Sequence, residues 1–342
     1  MKKKIINFTN ASCMFYTEAN WEALDTICNK QNTFIITDAN VFKNHKAKFE
    51  HRNVIVLRAG ETYKQQSTVD GIIKSLLEMG ADRQSFLLGV GGGVVTDITG
   101  YTASIYMRGI KFGFVPTTIL GMVDASIGGK NGVDVGVYKN IVGCIKQPEF
   151  IFYALEFLQT LPLKQWRNGF AEIIKHAAIC DSKLFKSLTE NNINFYKNNI
   201  AGLQILIAKN IAIKTKIVCN DEFETGERKL LNLGHTLAHA IENTYNLMHG
   251  EAVTIGITAA AFISEQLGAK NILNNVEALI TKYGLPTFAN FNIDKVMEIL
   301  MLDKKKTALG INYILLKKIG EAYIKNLDAK SIKKYLTAFT KA

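Results

Sequence analysis

The feature that most constrains the fold of this chain is a β-rich run that leads directly into three glycines. Residues 85–90 (SFLLGV) precede the glycines at 91–93, and two earlier β-rich runs lie at 33–37 (TFIIT) and 53–58 (NVIVLR). Between the second and third runs, residues 69–79 have apolar residues at helical spacing. Strands and helices in alternation imply a mostly parallel sheet with helices on its faces. The first half is therefore predicted to be an α/β domain.

The glycines themselves predict a nucleotide-binding turn. Glycine at a strand-to-helix turn lets the backbone approach a diphosphate, and the first amides of the next helix favour its negative charge. The spacing of Gly89 and residues 91–93 is not G-x-G-x-x-G. The turn therefore has the strand–glycine–helix arrangement of a dinucleotide site but not its sequence motif. Asp97 adds an acceptor for a ribose or nicotinamide group. The alternative is a tight turn with no ligand, which uses the same residues.

A second glycine-rich segment follows at residues 123–132 (VDASIGGKNG) and contains Lys130, with Lys139 and Asn140 shortly after it. Glycine beside lysine favours a phosphate cradle, although the spacing is not that of a P-loop. A flexible surface loop is the alternative interpretation.

Charge and composition limit the classes of function. The chain has 342 residues, enough for two domains, and 41 Lys and Arg against 30 Asp and Glu give a net charge of +11. Many of the basic residues stand inside glycine- or histidine-bearing motifs, which favours a buried anion site. Basic and aromatic residues do not interleave, so no nucleic-acid partner is predicted.

Cysteine usage and hydropathy predict a cytoplasmic protein with no membrane partner. The five cysteines are scattered without a C-x-x-C pair and are expected to be reduced. Only Ile5 and Ile6 follow the N-terminal lysines before Asn7, so there is no signal-peptide core. The longest apolar run, at 252–263, is too short to span a bilayer.

After a last β-rich run at 150–153 the pattern becomes helical, and a domain change is predicted near residue 155. Residues 169–179 form a helical pattern with Glu172 and His176 on one face and Lys175 beside them. Residues 200–218 form an amphipathic helix that carries Lys214.

Residues 228–251 (RKLLNLGHTLAHAIENTYNLMHGE) hold three of the six histidines. His235 and His239 stand one helical turn apart, and His249 stands where the next helix should begin. Three imidazoles converging on one cavity suit a divalent metal such as zinc, which also needs a carboxylate. Solvated surface histidines are the alternative. At least one of Glu172 and His176 must be structural, because four protein ligands would close the metal site.

Together these motifs resemble the 3-dehydroquinate synthases, enzymes of the shikimate pathway. The resemblance runs from about Phe34 to Gly320, and its order along the chain makes it specific. The matching stretches are residues 91–97, 106–109, 116–118, 123–132, 139–140, 171–176, 228–239 and 249–251. The resemblance implies a Rossmann-like NAD-binding α/β domain with a mostly parallel sheet at 1–155 and an all-α metal- and substrate-binding domain at 156–342. It also implies a cytoplasmic homodimer.

The resemblance assigns roles residue by residue. It implies that Glu172, His235 and His249 bind zinc or cobalt, and that His239, Glu224 and Lys175 are catalytic. The implied NAD site comprises Asp38, Asn40, Glu61, Lys64, Gly92, Gly93, Val94, Asp97, Thr117, Thr118, Lys139, Phe157, Thr160 and Asn168. The implied substrate site comprises Arg108, Asp124, Lys130, Asn140, Glu172, Lys175, Lys214, Arg228, Leu231, Asn232, His235, His239, His249 and Lys304.

The implied reaction converts 3-deoxy-D-arabino-heptulosonate 7-phosphate (DAHP) to 3-dehydroquinate and phosphate. NAD would oxidise the substrate, phosphate would be eliminated, and reduction, ring opening and aldol closure would follow. Two rivals are a sister cyclase of the deoxy-inosose or valiolone type and a metal-dependent polyol or glycerol-phosphate dehydrogenase. The chain departs from the commonest family pattern at Asp134, where an amide is expected, and at residues 144–146.

Overall fold

The computed structural model describes residues 1–136, 138–242, 244–302, 306–307 and 310–341. The chain forms two compact units, one made of Met1–Trp166 and Leu206–Phe223, the other of Arg167–Ile205 and Glu224–Ala342. The units do not follow a single boundary near residue 155, because the segment from Leu206 to Phe223 returns to the first unit.

The first unit is built on a seven-stranded sheet with the order β1-β2-β9-β6-β5-β3-β4, and a separate hairpin pairs β7 with β8. All pairings in the large sheet are parallel except β1 with β2. The strands are β1 (Lys2–Asn7), β2 (Ser12–Ala19), β3 (Thr33–Asp38), β4 (Asn53–Leu57), β5 (Phe86–Gly91), β6 (Lys111–Pro116), β7 (Lys130–Val135), β8 (Tyr138–Ile145) and β9 (Phe150–Ala154). The first three helices are α1 (Ala39–Asn44), α2 (Gln66–Glu78) and α3 (Gly93–Ile105).

The core of the first unit explains why the sheet is mostly parallel. Ile35 of β3, Leu88 and Val90 of β5, Val115 of β6 and Phe152 of β9 are all buried and belong to one hydrophobic cluster. Strands β3, β5, β6 and β9 are buried at all positions but one at most, so both of their faces are covered, which is the usual setting of parallel strands. The predicted α/β class of this half is confirmed.

The second unit is mainly helical, and the three-stranded antiparallel sheet β10-β11-β12 lies in its C-terminal part. The prediction of an all-α second half was therefore wrong in this detail. The remaining helices and strands of the chain are α4 (Leu163–Cys180), α5 (Ser182–Glu190), α6 (Ile193–Asn198), α7 (Ile200–Asn220), α8 (His235–Glu242), α9 (His249–Gln266), α10 (Leu273–Lys282), α11 (Ile293–Leu302), β10 (Lys306–Thr307), β11 (Gly310–Lys318), β12 (Glu321–Leu327) and α12 (Ala329–Phe339). Of these, α7 belongs to the first unit from Leu206 onwards. Among the residues described, none of these helices is long and apolar enough to cross a membrane.

Candidate active site

Helices α8 and α9 meet at a contact between two glycines. A Cβ atom built on Gly256 of α9 would lie 2.0 Å from the carbonyl oxygen of Gly234, the residue just before α8. Gly234 also has a φ of +82°, a conformation that glycine adopts without a steric penalty. The close approach packs the start of α8 against the middle of α9. The rings of His235 and His249 lie 5.4 Å apart.

Glu172 of α4 completes a cluster with these two histidines. Its carboxylate is fully buried, and Oε1 lies 3.3 Å from Nε2 of His249 and 3.7 Å from Nε2 of His235. Ligands about 2.1 Å from a tetrahedral zinc ion are separated by about 3.4 Å, so this spacing fits a divalent metal. The three side chains form one of the groups whose donor atoms all lie within 4.8 Å of one another. The arrangement fits a site with three protein ligands and an open position.

The Nδ1 atom of each of the two rings lies near an oxygen acceptor, and the Nε2 atom of each ring faces Glu172. Nδ1 of His235 lies 3.3 Å from the carbonyl oxygen of Leu233, and Nδ1 of His249 lies 3.4 Å from Oε2 of Glu242. A ring that donates its Nδ1 proton to an oxygen keeps the Nε2 lone pair for a metal.

The two imidazoles have opposite shifts in pKa. Burial and the charge of Lys175 hold the pKa of His235 well below its usual value, so this ring is neutral at physiological pH. Burial also lowers the pKa of His249, but contacts with Glu172 and Glu242 outweigh this and raise the pKa to about 10. A metal ion would take the place of the proton on the Nε2 of His249, where the local field already favours a positive charge.

Three further residues of α4 and α8 surround the cluster. Lys175 is buried and forms an ion pair with Glu172. His239 is exposed, and its ring centroid lies 5.5 Å from that of His235. His176 is fully buried. The notion that His239 handles substrate and protons while His176 is structural stays a prediction.

The segment before α8 holds four other predicted residues of the second unit, and Asn168 lies in α4. Arg228 and Leu231 are buried in a short 3₁₀ helix, Glu227–Asn232, which ends just before Gly234. Asn232 Nδ2 donates a hydrogen bond of 2.5 Å to Oε1 of Glu224. Asn168 of α4 accepts the backbone N–H of Gly250 through Oδ1 at 2.5 Å.

In the first unit, the glycine turn lies where β5 ends and α3 begins. Gly92 is the N-cap of α3 and has no side chain to occupy the helix N-terminus. A Cβ on Gly91 would lie 2.5 Å from Cβ of Val95, so the backbone passes close to α3. The N–H of Thr117, at the end of β6, donates to the carbonyl of Gly91 at 2.9 Å, and Thr118 Oγ1 accepts the N–H of Gly121 at 2.9 Å.

Asp38 ends the neighbouring strand β3 and caps α1. Its carboxylate accepts the N–H groups of Asn40 at 2.8 Å and Val41 at 3.1 Å, and burial raises its pKa although these bonds oppose the shift. Because β3, β5 and β6 are adjacent and parallel, their carboxyl ends lie side by side, and Asp38, Gly92 and Thr117 lie at these ends. In open α/β sheets, ligands bind in the crevice outside the carboxyl ends of the strands.

Lys64 connects Asp97 of α3 to Asn140 of β8. Its Nζ donates to Oδ2 of Asp97 and to Oδ1 of Asn140, both at 2.5 Å. Asn140 has a φ of +52°, and its N–H donates to Oδ1 of Asp134 at 2.7 Å. The N–H of Asp134 in turn donates to the carbonyl of Lys64 at 2.8 Å. Asp134 therefore fixes both the Lys64 segment and the backbone of Asn140.

Four other predicted residues of this unit are basic, and they differ in their contacts and in their exposure. Lys214 Nζ donates to Oδ1 and to the carbonyl of Asp124, both at 2.6 Å. Lys139 lies 3.9 Å from Glu61. Arg108 and Lys130 are exposed, and Arg108 has a φ of +69°.

Phe157, a predicted NAD residue, belongs to the hydrophobic cluster of the first unit. Its ring lies edge-on to Trp21, with 5.4 Å between the centroids. Thr160 Oγ1 lies 2.7 Å from Nε2 of His45. Val94 lies in the first turn of α3. Lys304 falls outside the residues that the structure describes.

Glu242 is not among the residues predicted from the sequence, and Asp134 is among them only as a departure from the family pattern. Glu242 stands seven residues after His235, a spacing that puts both on one face of α8. That periodicity is the signal that could have identified it. For Asp134 the contact to Asn140 depends on the β7–β8 turn, which no local pattern indicated.

The fold is shared with a solved synthase structure. A solved structure of 2-epi-5-epi-valiolone synthase from Streptomyces hygroscopicus, described with NAD+ and Zn2+ bound, aligns with a TM-score of 0.87. The alignment covers 99% of both chains at 24% sequence identity, so it establishes the architecture. The class defined by the fold is thus an α/β domain joined to a mainly helical part, as in that synthase.

The sequence comparisons are more specific than the fold. The family models described as 3-dehydroquinate synthase N-terminal and C-terminal match residues 54–168 and 169–306. The chain is 37% identical over 300 residues to 3-dehydroquinate synthase from Leptospira interrogans, covering 84% of this chain and 83% of that protein. It is 41% identical over 280 residues to the same enzyme from Pyrococcus furiosus, covering 81% and 82%. The chain belongs to the 3-dehydroquinate synthase family.

Proposed function

We propose that this protein converts DAHP to 3-dehydroquinate and phosphate. The observation that carries the proposal is the cluster of Glu172, His235 and His249, found in a chain of this family with donor spacings that fit a divalent metal. These three residues would hold zinc or cobalt. The glycine turn at Gly92, Asp38 and Asp97 would hold NAD. When bound, NAD+ accepts and returns a hydride while the metal polarises the carbinol oxygen.

The second unit supplies residues suited to binding the substrate and moving its protons. Arg228 has a planar guanidinium that matches the two oxygens of a carboxylate. His239 is exposed beside His235, where it can exchange a proton with a bound molecule. Glu224, held by Asn232, is the second proton-transfer candidate. Lys175 balances the charge of Glu172 in a buried position, where an unpaired carboxylate would be costly.

The first unit supplies groups for the phosphate and the cofactor. Lys130 belongs to the glycine-rich segment and Asn140 follows it in β8. An amide and an ammonium are both donors to phosphate oxygens. Lys214 presents its ammonium beside Asp124. A cytoplasmic homodimer, with Arg108 directed at a substrate phosphate, is part of the same proposal.

The relevant assay measures phosphate and NADH together. Purified protein loaded with zinc and a catalytic amount of NAD+ is expected to release phosphate from DAHP with no net rise in NADH absorbance, and to form dehydroquinate. Net NADH would indicate a polyol or glycerol-phosphate dehydrogenase instead. Phosphate from another sugar phosphate, but none from DAHP, would assign the protein to a sister cyclase.

Asp134→Ala is expected to raise the KM for DAHP. The substitution removes the acceptor of the Asn140 N–H, and a lost hydrogen bond of about 0.5–1.5 kcal/mol corresponds to a rise of up to about tenfold. Steady-state kinetics measure the effect. Asp134→Asn keeps an acceptor oxygen and should remain within about twofold of the parent protein. A KM that is unchanged in Asp134→Ala would show that Asn140 needs no such support.

A further inference from the structure

We propose that Glu242 is a positioning residue that fixes the orientation of His249 for metal binding. The inference rests on the proposed function, because it takes His249 as a metal ligand. Glu242 ends α8 and is buried. Its Oε2 lies 3.4 Å from Nδ1 of His249, while Nε2 of the same ring faces Glu172 at 3.3 Å. The imidazole is thus held by a carboxylate on each side.

The local backbone supports this role for the side chain. The N–H of Leu247 donates to the carbonyl of Glu242 at 3.1 Å, so the end of α8 is tied to the segment that leads to His249. His249 is the first residue of α9, and the N–H of Met248 is capped by Oε2 of Glu251 at 2.9 Å. The backbone of His249 is therefore fixed by the helix start, and its ring is oriented by Glu242.

The two histidine ligands are oriented by different groups. Leu233 offers His235 a neutral carbonyl oxygen at 3.3 Å, whereas Glu242 offers His249 a carboxylate. An anionic acceptor for the Nδ1 proton makes the opposite nitrogen a stronger donor, and loss of such a partner typically weakens metal binding by about 10- to 100-fold. We expect His249 to depend on its partner side chain and His235 to depend only on the backbone.

The test compares metal binding by Glu242→Ala, Glu242→Gln and the parent protein. Zinc affinity is measured by competition with a chromophoric chelator, and the geometry of the site is followed through the visible absorption of the cobalt-loaded protein. Glu242→Ala should bind zinc about 10- to 100-fold more weakly and change the cobalt spectrum. Glu242→Gln should lose less, because its amide oxygen still accepts the Nδ1 proton.

A purely structural role would give a different pattern. Glu265 of α9 provides the control, since its Oε1 accepts the N–H groups of Ile272 and Leu273 at 2.7 and 3.0 Å and holds a turn. Glu265→Ala should lower the melting temperature of the metal-free protein and leave zinc affinity and the cobalt spectrum unchanged. If Glu242→Ala behaves in the same way, the proposal is overturned.

Two further measurements keep the outcome decisive. If Glu242→Ala does not fold, Glu242→Asp retains the charge but shortens the side chain, and it should lose affinity as well. Unchanged affinity in that variant would refute the role of Glu242. A failure of the ligand assignment itself is recognised separately, because His249→Ala would then bind zinc as tightly as the parent protein.

Discussion

His235→Ala is expected to lose the bound metal and all measurable turnover, while His239→Ala keeps the metal and loses turnover. Nε2 of His235 lies 3.7 Å from Glu172 Oε1 within the candidate metal cluster, so its removal leaves two protein ligands. His239 lies next to that cluster with an exposed ring. Loss of a residue that transfers protons typically lowers kcat by about 10²- to 10⁴-fold.

The experiment measures metal content by atomic emission and turnover by phosphate release, in both variants side by side. Each variant is the control for the other, because the two histidines lie one turn apart on the same helix. Equal metal content and equal activity would refute the assignment of ligands. Loss of metal from His239→Ala alone would exchange the two roles.

Much of the first unit follows from local sequence patterns. The β-rich runs at 33–37, 53–58, 85–90 and 150–153 all form strands of the large sheet. The runs that form β3, β5 and β9 are continuous and apolar because buried parallel strands pack on both faces, and this leaves a strong signal in a short window. The start of α9 at His249 was predictable for a similar reason, since a long apolar helix follows it.

Other elements left no comparable signal. Strand β8 is exposed along most of its length, so it lacks the alternation of apolar and polar residues that marks a half-buried strand. It pairs with β7 through Gly132 and Gly143, and Gly132 ends the glycine-rich segment that was expected to form a loop. Strands β11 and β12 form a hairpin in a half whose pattern is otherwise helical.

The residues of the candidate metal cluster also could not be identified from local sequence spacing. Helical spacing alone pairs His235 with His239, whereas the structure places His235 and His249 around Glu172. That grouping depends on how α4, α8 and α9 pack, and packing between distant segments is not encoded in a local period. Only the family resemblance indicated these three residues beforehand.

Gly256→Ala is expected to abolish tight metal binding without altering any ligand. The new Cβ would lie 2.0 Å from the carbonyl oxygen of Gly234, whereas real Cβ contacts essentially never fall below 3.0 Å. The first turn of α8 must therefore move away from α9, and with it His235 from His249. Metal–ligand distances tolerate shifts of only about 0.2 Å. Overpacking of this kind also lowers the free energy of unfolding by about 1–3 kcal/mol.

Gly71→Ala is the matched control for this effect, because Gly71 also lies inside a helix. Nothing stands within 4 Å of a Cβ built there, so only the helix propensity changes and the protein should gain up to about 1 kcal/mol. Chelator competition measures zinc affinity, and urea unfolding of the metal-free proteins measures stability. Unchanged zinc affinity in a folded Gly256→Ala protein would mean that the glycine contact does not set the distance between the two histidines. Loss of both stability and zinc affinity in Gly256→Ala, with Gly71→Ala unaffected in zinc binding, would identify the close approach of α8 and α9 as the feature that assembles the site.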